Sequence, residues 1–509
     1  MTTTATVDVR PNLPVDRAPR VPVLHSKRAR KQSEADITTH ATRLRAVAQD
    51  PAVYLLSKTF PVRPPRTPGK PGDYPHWAYT VLNALTAVCG SLRQAAATLQ
   101  DPHVWAWYVD GAAEHLGHNA IAGIPRTGPK RHHWYQWAST YGAVYIAPLG
   151  DAFRELALAQ ALRQGMLNND LPGTTSRPHR GNVVTGDGKV MNSPCRNITG
   201  TVIDPKTGEV IRTRRTDTAS ALWTEGTGKT AYGSKHVSLS VRFDAYYSRV
   251  ILDMEFLAPI KGNGGEAGLA TSMLLRLREA AGPGMRGVAY DGALAGVHID
   301  PLMRAGLLVA SPAKALSNPD DERVGGKNRV EKSHVINGIT LEQTGGQCEH
   351  SLYAIGGLVH ERHVTDDGSA HNEPLDHRLL TPRGHGNDYR WYHQVTVPCE
   401  HGDHTILVPL HITKGDKERG LNRPEYVRQL PPGTVDYDRT YGYRPDAESL
   451  NCQVEDRFYF QRLPAYGETR QRLILIGLAQ SENAVSRYHH EKRRQLAEQH
   501  IAPPLAHAS

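Results

Sequence analysis

Two short apolar segments, Val183-Val184-Thr185-Gly186-Asp187-Gly188 and Gly287-Val288-Ala289-Tyr290-Asp291-Gly292, decide the fold class of this 509-residue chain. Each ends in Asp-Gly, and the glycine permits a sharp exit from a strand and a close approach of the backbone to a ligand. A third acid, Glu448, follows Pro445 at a predicted helix start. Three carboxylates that a fold brings together can bind two magnesium ions, which suits chemistry on phosphodiesters.

The elements around these segments predict an α/β fold. Alternating and apolar runs predict strands at 182–187, 235–243 and 249–257 and a hairpin at 201–211. Helices and strands then alternate: a helix carrying Leu269, Met273, Leu274 and Leu277, a strand at 287–290, a helix at 298–305 and a strand at 307–311. With the hairpin left out, the order is β-β-β-α-β-α-β, which a ribonuclease H-like mixed sheet requires. The first and fourth strands of such a sheet are neighbours, so Asp187 and Asp291 are expected to meet.

Composition divides the rest of the chain. The N-terminus is basic and shows no amphipathic period, the next region has helical spacing, and the long Gly- and His-rich stretch must hold its own structure. We predict a disordered basic arm over 1–35, an all-α DNA-binding region over 36–175, a ribonuclease H-like catalytic domain formed by 181–312 and 441–495, a β-rich insertion over 313–440 and a tail over 496–509.

Charge and cysteine usage limit the function classes. A net charge of +9 and a pI near 9.2 favour a polyanionic partner such as DNA, although ordinary surface charge gives the same balance. The five cysteines are scattered and odd in number, which indicates a reducing cytosol rather than a disulfide framework. The sequence shows neither an apolar run of about 18 residues nor an apolar signal core, so we expect a cytoplasmic protein that does not enter a membrane.

The helix predicted after Pro445 has two faces. Leu450, Val454 and Phe458 are spaced by four and define a buried stripe, while Glu448 and Glu455 share the opposite face. Glu455 on the same face, and Glu482 further along the chain, are rivals of Glu448 for the role of third metal ligand. Each acid also has a purely structural interpretation, because Asp-Gly commonly forms turns and a first-turn acid complements the helix dipole.

The segment Tyr441-Gly442-Tyr443-Arg444-Pro445-Asp446-Ala447-Glu448 resembles the Tyr-x2-Arg-x3-Glu-x6-Lys signature of the DDE transposases of bacterial insertion sequences. Tyr441, Arg444 and Glu448 match its first three positions. Glu455 stands where that family has Lys, so Arg457 or Arg462 would have to make the phosphate contact. With the two aspartates and the strand order, the resemblance covers roughly residues 181 to 490.

The resemblance implies a DNA transposase in which Asp187, Asp291 and Glu448 bind two Mg2+ ions, for which Mn2+ could substitute. It implies that Tyr441 and Arg444 hold a DNA phosphate and that an aromatic residue of the insertion, here Trp391, stacks on a flipped base. It also implies a homodimer in the bacterial cytoplasm, associated with the nucleoid, which binds terminal inverted repeats through its helical region and catalyses DNA cleavage and strand transfer into target DNA.

Two other functions stay open. Glu455 in place of Lys fits a catalytically decayed or domesticated DNA-binding protein of the same fold. A ribonuclease H-like nuclease that recognises branched or hybrid substrates would use the same acids without specificity for element ends.

A second constellation lies in the predicted insertion. Cys348-Glu349-His350 and Cys399-Glu400-His401, with His404 close behind, offer the sulfur and nitrogen ligands that zinc prefers. Cys348, His350, Cys399 and His401 are therefore candidates for a structural zinc site. Chance pairing is the alternative, because the chain has 26 histidines.

Overall fold

The computed structural model describes most of the chain, and the predicted basic arm at 1–35 lies outside the described part. The described residues are 38–61, 74–204, 206–224, 230–259, 264–313, 316–317, 329–330, 334–343, 346–385 and 388–501. No helix within these ranges is both long enough and apolar enough to cross a membrane.

The region before the first strand is helical. Its helices are α1 (His40–Gln49), α2 (Pro51–Leu55), α3 (His76–Val88), α4 (Leu92–Thr98), α5 (Pro102–Leu116), α6 (Arg131–Trp137) and α7 (Ala143–Arg163). Residues 77 to 87 of α3 are all buried, so this helix is the centre of the bundle. Gly90, with φ of +75°, follows α3, and the Ser91 hydroxyl caps α4 by accepting from the Gln94 N–H at 3.2 Å.

A mixed sheet follows. Its strands are β1 (Val183–Asn192), β4 (Ala221–Thr224), β5 (Thr230–Val241), β6 (Val250–Leu257), β7 (Gly287–Ala289) and β8 (Leu308–Ala310). Between β1 and β4 the chain forms a separate hairpin of β2 (Thr201–Ile203) and β3 (Val210–Thr213). Helices α8 (Gly265–Ala281) and α9 (Gly296–Arg304) connect β6 to β7 and β7 to β8. The predicted hairpin and the predicted alternation of strands and helices are both present.

The pairing pattern fixes the order of the strands. Ser238 of β5 pairs with Asp187 of β1 and also with Met254 of β6, so β5 lies between those two strands. The parallel strand β7 pairs with β1 through Val183 and Gly287, and β8 extends the sheet beyond β7. The order is therefore β6-β5-β1-β7-β8, with β4 alongside the start of β5.

The stretch between β8 and the next long helix is rich in strands. They are β9 (Leu316–Ser317), β10 (Arg329–Val330), β11 (His334–Gln343), β12 (Gly346–Ile355), β13 (Leu358–Val364), β14 (Ala370–Pro374), β15 (His377–Leu379), β16 (Arg383–His385), β17 (Asp388–Arg390), β18 (Tyr392–Val397) and β19 (His404–Pro409). One sheet contains β11 to β14, and another contains β15, β18 and β19. Short helices α10 (Lys414–Glu418) and α11 (Val435–Tyr441) lead back towards β1.

The helix α12 (Pro445–Arg457) packs beside β1 and buries the stripe that its sequence predicts. Leu450, Val454 and Phe458 are buried on one side of the helix. Arg249, itself buried, donates to the Asp446 carbonyl at 2.8 Å and to the Gln453 side chain at 2.9 Å, which fixes the helix against β6. Burial lowers the pKa of Arg249 to about 10, so the guanidinium still carries its charge at neutral pH.

The last helix, α13 (Glu468–Ile501), joins the helical region to the sheet. Its Asn483 side chain accepts from the Ile251 N–H at 2.7 Å and donates to the Ile251 carbonyl at 2.8 Å, which satisfies the outer edge of β6. Residues 496 to 501 continue this helix. The predicted tail therefore begins later than 496, because the helical spacing extends past that point, and residues 502–509 lie outside the described part.

Candidate active site

Asp187 and Asp291 meet at the sheet. Asp187 lies within β1, Asp291 follows β7, and these two strands are parallel neighbours. Asp187, Asp291 and Glu266 each place one carboxylate oxygen within 4.8 Å of the others. Proximity of the two aspartates is what the predicted strand order requires.

Glu266 is the acid that the sequence did not single out. It lies in the first turn of α8, where the helix dipole favours a carboxylate. A Cβ atom on Gly188 would lie 2.3 Å from Cδ of Glu266, so the glycine after Asp187 makes room for this side chain. Lys235 binds Glu266 at 2.6 Å, and the Tyr290 hydroxyl donates to it at 3.1 Å. The available signal was an acid in the first turn of the predicted helix after β6, the same kind of signal that singled out Glu448.

Burial and mutual repulsion shift the pKa values of this cluster. Burial, followed by the charge of Asp291, raises the pKa of Asp187 to about 6. Burial also raises the pKa of Asp291, and Glu266 adds to that shift. Ionisation of partly buried acids this close together is opposed by desolvation and by their mutual repulsion. A bound cation would offset both effects.

Glu448 does not belong to this cluster. Its carboxylate forms an ion pair with Arg444, one turn earlier on α12, and its side chain is 52% exposed. The helix reaches the site instead through Asn451, whose Nδ2 donates to Asp187 Oδ2 at 2.9 Å. Glu448 and Asn451 are three residues apart and therefore share one helix face.

Tyr441 and Arg444 lie close enough to Asp187 and Asp291 to interact with their charges. Tyr441 stacks on Tyr437 with ring centroids 5.0 Å apart. Burial alone would lower the pKa of Arg444, but the charges of Asp187 and Glu448 and the neighbouring Tyr441 raise it. The guanidinium is therefore a positive charge beside the acid cluster.

The two rival acids are used elsewhere. Glu455 forms an ion pair with Lys189 of β1 at 2.7 Å. Glu482 on α13 is 11% exposed and binds Arg43 at 3.2 Å and Arg457 at 2.7 Å. Neither acid is a member of the cluster formed by Asp187, Glu266 and Asp291.

The two remaining basic candidates for a phosphate contact differ in their placement. Arg457 is occupied by its ion pair with Glu482. Arg462 is half-buried beside the end of β1, where its backbone forms a bridge with Asn192.

The burial of Trp391 contradicts its predicted role of stacking on a flipped base. The residue is 1% exposed, and its indole N–H donates to the Met303 carbonyl at 2.8 Å. The side chain packs in the hydrophobic core between α9 and the β18–β19 hairpin, so no face of the ring is open to a nucleobase. The resemblance to the transposases alone suggested the stacking role, and the local sequence carried no signal for it.

The cysteine and histidine constellation also assembles, with one change. Cys348, His350, Cys399 and His404 place ligand atoms within 4.8 Å of one another, whereas the predicted fourth member, His401, is outside this group. His404 is the first residue of β19 and is buried, while His401 is exposed in the preceding turn. Hydrogen bonds, first from the His401 backbone N–H, lower the pKa of Cys399 to about 6.

Comparison with known proteins gives little. No protein-family model and no curated protein matches the chain. Among solved structures, the cryo-EM structure of a piggyBac transposase synaptic complex with hairpin DNA is similar over 92% of this chain and 83% of that one, at 10% identity and a TM-score of 0.29. A likeness at that TM-score supports no statement about what this chain is or does.

Proposed function

We propose that the protein is a metal-dependent DNA transposase with a ribonuclease H-like catalytic domain. The observation that carries the proposal is the convergence of Asp187, Glu266 and Asp291 at two neighbouring parallel strands. The strand order β6-β5-β1-β7-β8 is the one that a ribonuclease H-like sheet requires. Tyr441 and Arg444 of the transposase-like signature lie beside the same acids, and the net charge of +9 suits a DNA partner.

The donor set fits magnesium. Three carboxylates offer only oxygen ligands, which Mg2+ and Mn2+ prefer over the nitrogen and sulfur ligands of zinc sites. Asp187, Asp291 and Glu266 would hold the ions. When bound, two such ions would polarise the scissile phosphate and activate the attacking water or 3′-hydroxyl.

The surrounding residues have separate tasks in this proposal. Lys235 and Tyr290 hold Glu266 in position, and Asn451 orients Asp187. Arg444 would bind a DNA phosphate by its planar fork. An exposed ion pair four residues apart on a helix contributes only about 0.3–0.5 kcal/mol. Arg444 can therefore exchange Glu448 for a phosphate at little cost, which would release Glu448 to join the acids.

Separate substitutions of Glu266 and Glu448 test this arrangement. We expect Glu266→Gln to weaken binding of Mn2+ to the DNA-free protein, because it removes one of the three converging oxygens. Glu448→Gln should leave that binding unchanged and lower cleavage of DNA by at least about a hundredfold, more than the loss of an outer partner usually costs. Isothermal titration with Mn2+ and a cleavage assay measure the two effects.

Glu279→Gln, an exposed position on the same helix as Glu266, is the matched control and should change neither result. Full Mn2+ binding by Glu266→Gln would contradict the assignment of Glu266 as a ligand. Normal cleavage by Glu448→Gln would remove that residue from the site.

Lys189 is proposed to supply the cation that the signature expects on α12. It lies two residues after Asp187 in β1, so both side chains point to the same face of the sheet, and it pairs with Glu455. Lys189→Gln should reduce the salt dependence of DNA binding by about one phosphate contact, a change of about 0.9 in the slope of log K against log salt. Glu455→Gln should instead tighten binding.

Fluorescence anisotropy with a labelled duplex at several salt concentrations measures the affinity of each variant and its dependence on salt. Lys206→Gln, in the exposed β2–β3 turn, is the control and should leave the slope unchanged. Equal slopes for Lys189→Gln and the unmodified protein would show that Lys189 does not reach a phosphate.

An assay with labelled DNA from both flanks of the gene, the full-length protein and Mg2+ tests the proposed function itself. Cleavage at defined phosphodiesters and joining to a target duplex support a transposase acting as a homodimer in the bacterial cytoplasm. Binding without cleavage would indicate the decayed or domesticated form. Cleavage of branched or hybrid substrates without specificity for those ends would indicate the nuclease.

A further inference from the structure

The strands outside the central sheet bring together four side chains with a different chemistry from that of the acid cluster. Cys348 and His350 are two residues apart on β12, so they share one face of the strand. Cys399 follows β18, and His404 begins β19. One ligand atom from each residue lies within 4.8 Å of the others.

The distances suit a tetrahedral ion. The two sulfur atoms are 3.5 Å apart. Two zinc–sulfur bonds of about 2.3 Å at a tetrahedral angle place the sulfurs about 3.8 Å apart, whereas a disulfide requires about 2.0 Å. The arrangement is thus close to the edge of a zinc tetrahedron and too open for a covalent bond.

The histidine geometry points to a ligand independently. His350 Nδ1 lies 2.5 Å from Glu361 Oε1, so its N–H donates to the carboxylate, and in the neutral imidazole the lone pair is then on Nε2. Within the described structure, that buried Nε2 has no hydrogen-bond partner. A carboxylate on the far nitrogen of a histidine is the usual support of a metal-binding imidazole.

Burial distinguishes a structural from a catalytic site. Cys348 is 7% exposed, and His350 and His404 are each 8% exposed. All four ligand positions are supplied by the protein, which leaves no coordination position for water or substrate.

We propose that Cys348, His350, Cys399 and His404 bind one structural zinc ion. The ion would join two sheets that share no strand pairing among the described residues, β11 to β14 on one side and β15, β18 and β19 on the other. Its nitrogen and sulfur ligands share no residue with the acid cluster, so zinc binding does not depend on magnesium binding there.

Metal analysis of the full-length protein, purified under reducing conditions with zinc supplied, tests the proposal. We expect one zinc per chain, near-complete loss in Cys348→Ser and Cys399→Ser, and strong loss in His404→Ala. His401→Ala should keep its zinc, although His401 Nδ1 lies 3.3 Å from the Cys348 sulfur. Cys452→Ser, at an exposed position on α12, is the control and should keep the full amount.

A second measurement does not depend on whether the variants fold. Cobalt added to the metal-free unmodified protein should give the intense visible absorption of tetrahedral Co2+ bound to thiolates, and zinc should abolish that absorption. An unmodified protein that binds no zinc and gives no such spectrum would overturn the proposal. Loss of zinc in His401→Ala with retention in His404→Ala would overturn the ligand set, and a Cys348–Cys399 disulfide in place of metal would overturn the site.

Discussion

Replacing Asp187 by Asn is expected to abolish DNA cleavage and, at the same time, to stabilise the metal-free protein. Activity should fall by about a thousandfold or more, since the change removes one of the three charged ligands that would hold the ions acting on the phosphate in the proposed mechanism. Stability should rise because the folded protein holds the Asp187 charge beside Asp291, in a partly buried position.

The pH dependence follows from the direction of the shift. The pKa of Asp187 rises from 3.8 to about 6 on folding, so the folded state binds the proton more tightly than the unfolded state. The stabilisation that the folded state gains from this tighter proton binding is fully present below the unfolded-state pKa and is lost as the pH rises through about 6. Asn remains neutral, so the variant should match the unmodified protein near pH 4 and exceed it by about 1–3 kcal/mol above pH 7.

Urea unfolding at both pH values, with and without Mg2+, measures the effect. Mg2+ should stabilise the unmodified protein by binding the folded state only, and it should not stabilise Asp187→Asn. Asp366→Asn, in an exposed turn, should behave like the unmodified protein in all arms. A variant that is inactive and also less stable at neutral pH would mean that Asp187 holds the fold together rather than a metal.

Replacing Glu482 by Gln is expected to have the largest effect on stability. Glu482 is the shared partner of Arg43 on α1 and Arg457 on α12, so its loss leaves two guanidinium groups partly buried without their counter-charge. Removal of one member of such a network costs about 3–5 kcal/mol. Thermal and urea unfolding of the metal-free protein would report the loss.

The same ion pairs make stability sensitive to acid. The charges of Arg457 and Arg43 hold the pKa of Glu482 below its usual value although burial opposes this. The contribution is present above the unfolded-state pKa and is lost as the pH falls through the folded-state pKa, so the variant and the unmodified protein should converge in acid. Glu468→Gln, at an exposed position on the same helix, is the control, and equal stability of Glu482→Gln and Glu468→Gln at neutral pH would contradict the prediction.

Local patterns identified much of the fold and part of the site. The two Asp-Gly strand ends and the predicted strand order were enough to expect Asp187 beside Asp291. Strand ends and strand order can both be predicted from the succession of elements along the chain. The stripe of Leu450 and Val454 likewise gave the buried face of α12.

The remaining features depend on contacts between distant elements. Glu266 joins the acids only because the first turn of α8 packs beside Gly188 of β1. No spacing along the chain predicts this contact between the helix and the strand. Trp391 was assigned to DNA only because the family it resembles uses an aromatic residue of the insertion, and its burial in the core leaves no face of the ring for a base. His404 replaces His401 in the candidate ligand group because the pairing of β18 with β19 places His404 opposite Val397 at the start of β19, a contact that proximity to Cys399 in sequence does not encode.

The contact between Asn483 and the edge of β6 has a consequence for synthesis of the chain. Asn483 lies 232 residues after Ile251, the residue whose backbone groups it satisfies. During translation β6 therefore emerges with an open edge, which other strands can pair with until α13 leaves the ribosome. We expect this interval to be the period when the nascent chain most needs protection from aggregation, and completion of the sheet's outer edge to be among the last steps of folding.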